Sequence, residues 1–381
     1  MSDENRPGPG GNLSPWLLAS GAGAIGAWLW WKNRQPLPIT DAMAGRVCVV
    51  TGANTGIGKA TAMALSRQGA HVILACRSPN KGLAASKDIR RRVPGANVQV
   101  ISLDLESIDS IRGFVKKFRE TQLPLHVLVN NAGIMAGKLE VVRGMEKTMV
   151  VNHLGPFLLT NLLLPNLQRG AAPSLPPPGD SNRRAPQVGL ESGPASRVVN
   201  VSSRLEKRGE LLAAKDSALP TGTTWFQPPP GKHDVFGQYG ASKLCNMLFT
   251  FELHRRLSAA AEAQASSSDG GGAGRVTVSA VTPGLVNTRI GDNVFTSPWV
   301  RRLVRLSAAP VRALLLRTAD KGAETVVWAA TSPEVEGSSG KFYGDLKEVP
   351  CSESSRDAEL ARKMWEASEV ATGLNESERV V

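Results

Sequence analysis

The chain has 381 residues, 41% of them apolar and 20% charged, so it can bury a sizeable core and reads as globular, in one large domain or two small ones. Its formal charge is +12, yet Lys and Arg are scattered and no aromatic–basic stripe accompanies them, which sets nucleic acid aside as a partner. An acidic membrane surface and a phosphorylated cofactor suit that charge better. The four cysteines, Cys48, Cys76, Cys245 and Cys351, lack metal-ligand spacing and read as free thiols of a reducing compartment, with no metal site.

Residues 1–12 are a polar tail. Leu13 to Trp31 carries no charge and holds Trp16, Leu17, Leu18, Ile25, Trp28, Leu29, Trp30 and Trp31. As a helix it would reach roughly 28 Å, close to a bilayer core. Tryptophans at both ends suit the two interfaces, so residues 13–31 read as a transmembrane anchor. A surface-lying or disordered arm is the alternative, since Gly and Ser dilute the stretch. Lys32 and Arg34 follow, whereas only Arg6 precedes, beside Asp3 and Glu4. That bias places the main domain on the cytoplasmic side. The acidic start argues against a cleaved signal peptide. Gly21-Ala-Gly-Ala-Ile-Gly26 matches GxGxxG by letter only: no strand precedes it, and helix packing explains its small residues.

Residues 32–44 form a polar, Pro-containing linker. From 45 to 381, strand and helix signals alternate. Strands are expected at Arg46–Val50, His71–Ala75, Asn97–Ser102, Leu125–Asn130, Arg197–Val201 and Arg275–Val281. Helices lie between them, as at Asp109–Glu120, Thr148–Gln168 and Tyr239–Leu257. This alternation predicts an α/β fold with a doubly wound parallel sheet of Rossmann type. Three stretches break the pattern and read as flexible insertions: Ala171–Pro186, Asp216–His233 and Ala259–Gly274. The second lies between Ser203 and Tyr239, which makes it a candidate substrate lid, though a plain loop is the simpler reading.

Thr51-Gly-Ala-Asn-Thr-Gly-Ile-Gly58 follows the first strand and opens a helix. Gly52, Asn54, Thr55, Gly56, Ile57 and Gly58 form a nucleotide cradle: glycines admit the pyrophosphate and the helix N-terminus offers it free N–H groups. The second strand ends at Arg77-Ser78, with no acidic residue to bond a ribose 2′-hydroxyl. A guanidinium suits a 2′-phosphate, so NADP(H) is the expected cofactor, with Lys59 as an electrostatic helper. Asp104, beside Leu105, can accept from the adenine amino group. Asn130-Asn131-Ala132-Gly133 ends the fourth strand and lets the backbone approach adenosine.

Asn152 sits mid-helix, where Asn is disfavoured; buried there, it can open the local bonding and hold a water that passes protons from Lys243. His153 beside it has no obvious metal or base partner and reads as structural. Arg197-Val-Val-Asn-Val-Ser-Ser203 ends a strand in two hydroxyls, Ser203 being the first choice to orient a substrate oxygen and Ser202 the second. Tyr239 and Lys243 are four apart and share a helix face. A free tyrosine has a pKa of about 10; a nearby ammonium lowers it, so Tyr239 can act as acid or base as hydride moves. Lys243 can also bond the nicotinamide ribose. Pro283-Gly284, Val286 and Thr288 follow the sixth strand and can close over the carboxamide.

In order, these clusters resemble the short-chain dehydrogenase/reductase superfamily over roughly residues 45–345. ANTGIGKATA, LACRS, LDLES, NNAGIM, VNHLGPFLLTNLLLP and SPEVEGSSGKFYGD are similar to its retinol dehydrogenase-like, membrane-anchored branch. The resemblance implies a catalytic tetrad of Asn152, Ser203, Tyr239 and Lys243. It also implies NADP(H) and a retinoid-like or other lipophilic alcohol, aldehyde or ketone. A homodimer through the helices beside Tyr239 is implied too, unless a membrane anchor replaces it. The organelle is left open, the endoplasmic reticulum ahead of the mitochondrion. The serine-to-tyrosine gap is longer than the family shows, which leaves the substrate open: a steroid or pigment-precursor reductase is one alternative, a catalytically idle nucleotide-binding scaffold another.

Overall fold

Strands apolar on both faces need cover on both faces, and a parallel sheet with helices above and below provides it. A computed structural model of the protein describes residues 42–171, 194–209, 211, 222–227, 234–265, 275–286 and 316–381. The strands of the main sheet are β1 (Val47–Thr51), β2 (His71–Cys76), β3 (Val98–Ser102), β4 (Val127–Asn130), β5 (Ser196–Val201), β6 (Val276–Thr282), β7 (Lys341–Gly344) and β8 (Lys347–Glu348). They form one sheet in the order β8-β7-β6-β5-β4-β1-β2-β3, parallel except for β8 against β7. The strand order reverses between β1 and β4, where ligands of such sheets sit at the strand C-termini. Inner strands β1, β5 and β6 are buried throughout, while edge strand β3 alternates with solvent.

Helices α1 (Gly56–Arg67), α2 (Pro79–Arg92), α3 (Ile108–Glu120), α4 (Gly155–Ala171), α5 (Val235–Ala265), α6 (Ala319–Thr331) and α7 (Ala358–Thr372) cover the sheet. One core lies under α3, α4, α5 and α7, and the other under α1, α2 and α6. The six strands expected from the sequence are present within two residues at each end. Helix α5 differs: it runs on through Ala259 to Ala265, into a stretch expected to be an insertion, because Ala-rich sequence continues a helix readily.

The stretch expected as a loop or lid also differs. Within it, Gly222–Phe226 forms a 3₁₀ turn that buries Trp225 and Phe226, and the Phe226 ring lies 5.7 Å from that of His153. Two buried aromatics fasten this part to the core. Trp365 of α7 packs edge-on against Phe157 of α4, 4.9 Å between centroids, and against Phe249 of α5 at 5.7 Å. A helix lying on a sheet shows water its outer side unless something covers it. Gly155–Leu164 of α4 is buried residue after residue, because α7 provides that cover. The chain's own C-terminal helix α7 packs on α5, the helix that carries Tyr239. Among the described residues no helix is long and apolar enough to cross a membrane; the expected anchor at 13–31 lies outside them, as does most of 171–186.

His153 is fully buried among Phe157, Phe226 and Phe249. Its Nε2 lies 2.8 Å from Ser368 Oγ. The Ser368 hydroxyl donates to Met364 O, so Nε2 carries the ring proton and Nδ1 stays bare. Burial lowers the His153 pKa to about 3, and burial likewise takes His126 to about 4. A depressed histidine costs the fold nothing above the unfolded value of about 6.5 and destabilises it as pH falls from there, until the folded value is passed. The melting temperature should therefore fall as pH drops from 6.5 towards 4. His153→Leu should flatten that slope, removing up to about 1.4 kcal/mol per pH unit of the dependence. Thermal melts at stepped pH check this; equal slopes in both proteins would refute it.

Candidate active site

The turns after β1 and β4 pack against each other too closely for side chains at Gly52 and Gly58. Gly52 has φ +65°, and a Cβ there would lie 3.0 Å from Ala132 Cα. A Cβ on Gly58 would meet Gly52 O at 2.6 Å and collide with Asn131 Nδ2. Thr51 ties the two loops together: its Oγ1 accepts from Asn131 N at 3.0 Å and Ala132 N at 2.9 Å, while Asn131 Nδ2 donates to Thr51 O at 2.8 Å. Helix α1 starts at Gly56 with no side-chain cap and no acidic residue in its first turn. Its N–H groups and partial positive charge face the cleft, where an anion is stabilised.

At the other end of the cleft, Arg77 is 65% exposed and its Nη1 donates to Glu106 Oε1 at 2.8 Å. Lys59 pairs with Asp88 at 2.6 Å, and the ammonium beside it holds Asp88 down at about 2. Asp104 accepts from Glu106 N through Oδ1, 3.1 Å.

The chemistry-bearing side chains come from three elements. Between the one-turn helix Lys147–Met149 and α4, residues Val150–Leu154 widen into a π-helical turn. Pro156 has no N–H to give the Asn152 carbonyl four residues back, so an ordinary helical bond is missing there. The opened bonding expected of Asn152 is present, but its side chain is fully engaged. Oδ1 accepts from Ile134 N at 2.8 Å, and Nδ2 donates to Ile134 O at 2.9 Å and Ser242 Oγ at 3.0 Å. Neither amide hydrogen is left for a water.

The two serines divide. Ser202 is buried and its hydroxyl donates to Lys243 O at 3.0 Å. Ser203 caps the 3₁₀ turn Arg204–Arg208, its Oγ accepting from Leu205 N at 3.2 Å, and among the described residues its hydroxyl donates to no partner. Tyr239 is 8% exposed, and Lys243 Nζ lies 5.4 Å from the centre of its ring. Nζ donates to Val201 O at 2.9 Å. Burial dominates both groups: it pushes the Tyr239 hydroxyl up and brings Lys243 down to about 8. The sequence reading had the ammonium lower the phenol; here desolvation outweighs it.

A cleft of about 1130 Å³ collects these pieces. It is lined by every cofactor residue named from the sequence except Thr288, which lies outside the described residues; Asn152 stands behind its wall. Pro283 to Val286 is pinned by Arg317, whose N donates to Leu285 O at 2.9 Å and whose guanidinium pairs with Asp345 in the β7–β8 turn. Sequence reasoning missed Glu106, Met135, Leu205, Phe236 and Leu285 in the lining. Phe236, three before Tyr239, was findable from helical spacing; the others carry no local signal. Phe236 and Leu285 are 48% and 75% exposed, apolar side chains on the cleft wall.

A family model described as short chain dehydrogenase matches residues 46–174. The chain is 35% identical to human retinol dehydrogenase 14 over 87% of its own length and 88% of that protein. It is 33% identical to human polyprenol dehydrogenase over 88% of both. Among solved structures, an uncharacterised protein from Mycobacterium paratuberculosis superposes with a TM-score of 0.60 at 28% identity, covering 89% of this chain and 98% of that one.

Since a Cβ at position 58 meets backbone and the Asn131 amide, Gly58→Ala should cut affinity for a nicotinamide nucleotide at least roughly tenfold without unfolding the protein. Nucleotide titration followed by fluorescence, with circular dichroism as the control, checks this. Unchanged affinity would mean that the cradle does not hold the pyrophosphate.

Proposed function

The chain belongs to the short-chain dehydrogenase/reductase family, in its retinol dehydrogenase-like branch, as an oxidoreductase of CH–OH groups, and from that premise we propose that it uses NADP(H) to interconvert a lipophilic alcohol and its aldehyde or ketone. The observation that carries this reading is the meeting of Ser203, Tyr239 and Lys243 with the glycine cradle in one cleft. The cradle fits a dinucleotide: Gly52 and Gly58 let the loops after β1 and β4 pack together beside the cleft, and α1 opens towards it with no side-chain cap and no acid in its first turn. Arg77, at a strand end that lacks an acid, suits a 2′-phosphate.

When bound, the nicotinamide supplies or takes the hydride. The chain's own residues handle the oxygen and the proton. The free Ser203 hydroxyl orients the substrate oxygen. Tyr239, kept protonated by burial, gives its proton to a carbonyl oxygen as the carbon is reduced, and takes it back in the reverse direction. Lys243, near 8, exchanges protons at physiological pH and returns one to the phenol. Asn152 holds the Ile134 loop and the Ser242 turn against each other, so that Tyr239 and Lys243 face the cofactor loops. A water relay falls to the Asn152 backbone carbonyl rather than its amide.

Leu205, Phe236, Leu285 and Met135 give the cleft an apolar wall, which suits a lipophilic substrate. The similar human proteins are named for retinol and polyprenol, both of that class. The uncharged stretch at 13–31 would hold the domain at a membrane where such substrates dissolve, with the catalytic part on the cytoplasmic side.

The sequence holds two tyrosines, and Tyr343 is spent on Ser338 and the Trp328 ring, so Tyr239 has no substitute. Tyr239→Phe should lower turnover by roughly three orders of magnitude and leave NADPH affinity nearly intact. A panel of retinal, a polyprenal and a steroid ketone, assayed with the full chain in detergent, checks both parts. Retained turnover in the variant would remove Tyr239 from the role.

A further inference from the structure

The nucleotide half of the cleft contains a charge pair that the proton chemistry does not use. Arg77 Nη1 sits 2.8 Å from Glu106 Oε1, and both residues line the cleft. Glu106 is held in place from two sides. Its N–H donates to Asp104 Oδ1 at 3.1 Å, and Lys147 Nζ approaches the same carboxylate oxygen at 3.4 Å while pairing with Glu140 at 3.0 Å. The Glu106 side chain is 20% exposed against 65% for Arg77, so the carboxylate is the fixed partner and the guanidinium the exposed one. The other cation on this wall, Lys59, is engaged with Asp88.

We propose that Glu106 is a specificity-determining residue: it competes with a 2′-phosphate for Arg77 and accepts a hydrogen bond from a 2′-hydroxyl, so that the Arg77–Glu106 pair, rather than Arg77 alone, sets the balance between NADP(H) and NAD(H). This rests on the nucleotide reading above. A guanidinium binds phosphate best through two parallel N–H bonds, and Glu106 takes up one of the donors that such a fork requires. A carboxylate beside a phosphate dianion also repels it, at a distance where solvent screens only partly. The same carboxylate is the acceptor that a ribose hydroxyl needs and that the end of β2 lacks. The pair therefore contains both halves of the usual discrimination, brought together from the ends of adjacent strands β2 and β3.

The test is nucleotide binding by the full chain in detergent, titrated with NADPH and with NADH and followed by fluorescence quenching. The proteins are wild type, Glu106→Gln, Arg77→Ala and the double variant. Glu106→Gln keeps the shape and removes the charge. It should tighten NADPH about three- to tenfold and weaken NADH by a similar factor. Arg77→Ala should weaken NADPH, and in its background Glu106→Gln should tighten it clearly less than in wild type, because only the direct repulsion is left once the guanidinium is gone. NADPH affinity unchanged or weakened by Glu106→Gln would overturn the proposal, as would the same tightening in the Arg77→Ala background. Wild-type protein that binds neither nucleotide would instead bring down the nucleotide reading itself.

Discussion

The side-chain amide of Asn152 is the joint on which the site is assembled. It makes three hydrogen bonds, two to the Ile134 backbone after β4 and one to Ser242 in the Tyr–Lys turn of α5. Asn152 and Ser242 are buried, and a buried amide left unpaired costs about 1–3 kcal/mol. The side chain can face both partners only because the helix widens at Val150–Leu154. Gly155 follows with equal constraint: a Cβ there would strike Leu105 O at 2.6 Å, in the loop expected against adenine. One turn of chain thus spaces the Leu105 loop, the Ile134 loop and the helix that carries Tyr239 and Lys243.

The sheet carries a second polar system that fixes the same elements from below. Asn130 of β4 donates to Asn200 of β5 and to Thr160 of α4, and Asn200 donates to Thr250 of α5. Asn130 and Asn200 are register partners in the parallel ladder, so a one-residue slip would leave buried amides without partners. Above the sheet, the backbone itself closes the gap between Ser203 and Tyr239. A Cβ on Gly240 would lie 2.7 Å from Leu205 O, and one on Gly209 2.5 Å from Gly240 O. The serine turn and the tyrosine helix touch main chain to main chain, which leaves little freedom in the distance between the two hydroxyls.

What the sequence made legible was local. Glycines needed for positive φ and close approach, a strand ending in two serines, and Tyr and Lys at helical spacing each leave a short pattern in the letters. The parallel, doubly wound sheet followed from apolar runs separated by helices. The features that escaped depend on partners far along the chain. β7 is four residues long and becomes a strand only beside β6. Trp225 and Phe226 lie in a Pro- and Gly-rich stretch, and nothing local says that they meet His153. Glu106 looks like any surface carboxylate until β2 and β3 bring it to Arg77. The π turn had a local cue, Asn152 four residues before Pro156, because a proline cannot close that bond.

Burial accounts for the one place where the chemistry reverses the expectation. In an exposed Tyr–Lys pair the ammonium would lower the phenol's pKa from its ordinary value of about 10. Enclosed together, both are driven to their neutral forms, the phenol upward and the lysine down to about 8. A phenol that keeps its proton across physiological pH is prepared to give one, and an amine near 8 is prepared to replace it. The cleft therefore holds a neutral hydroxyl donor beside a titrating amine. Both shifts come from burial of the pair at the floor of the cleft.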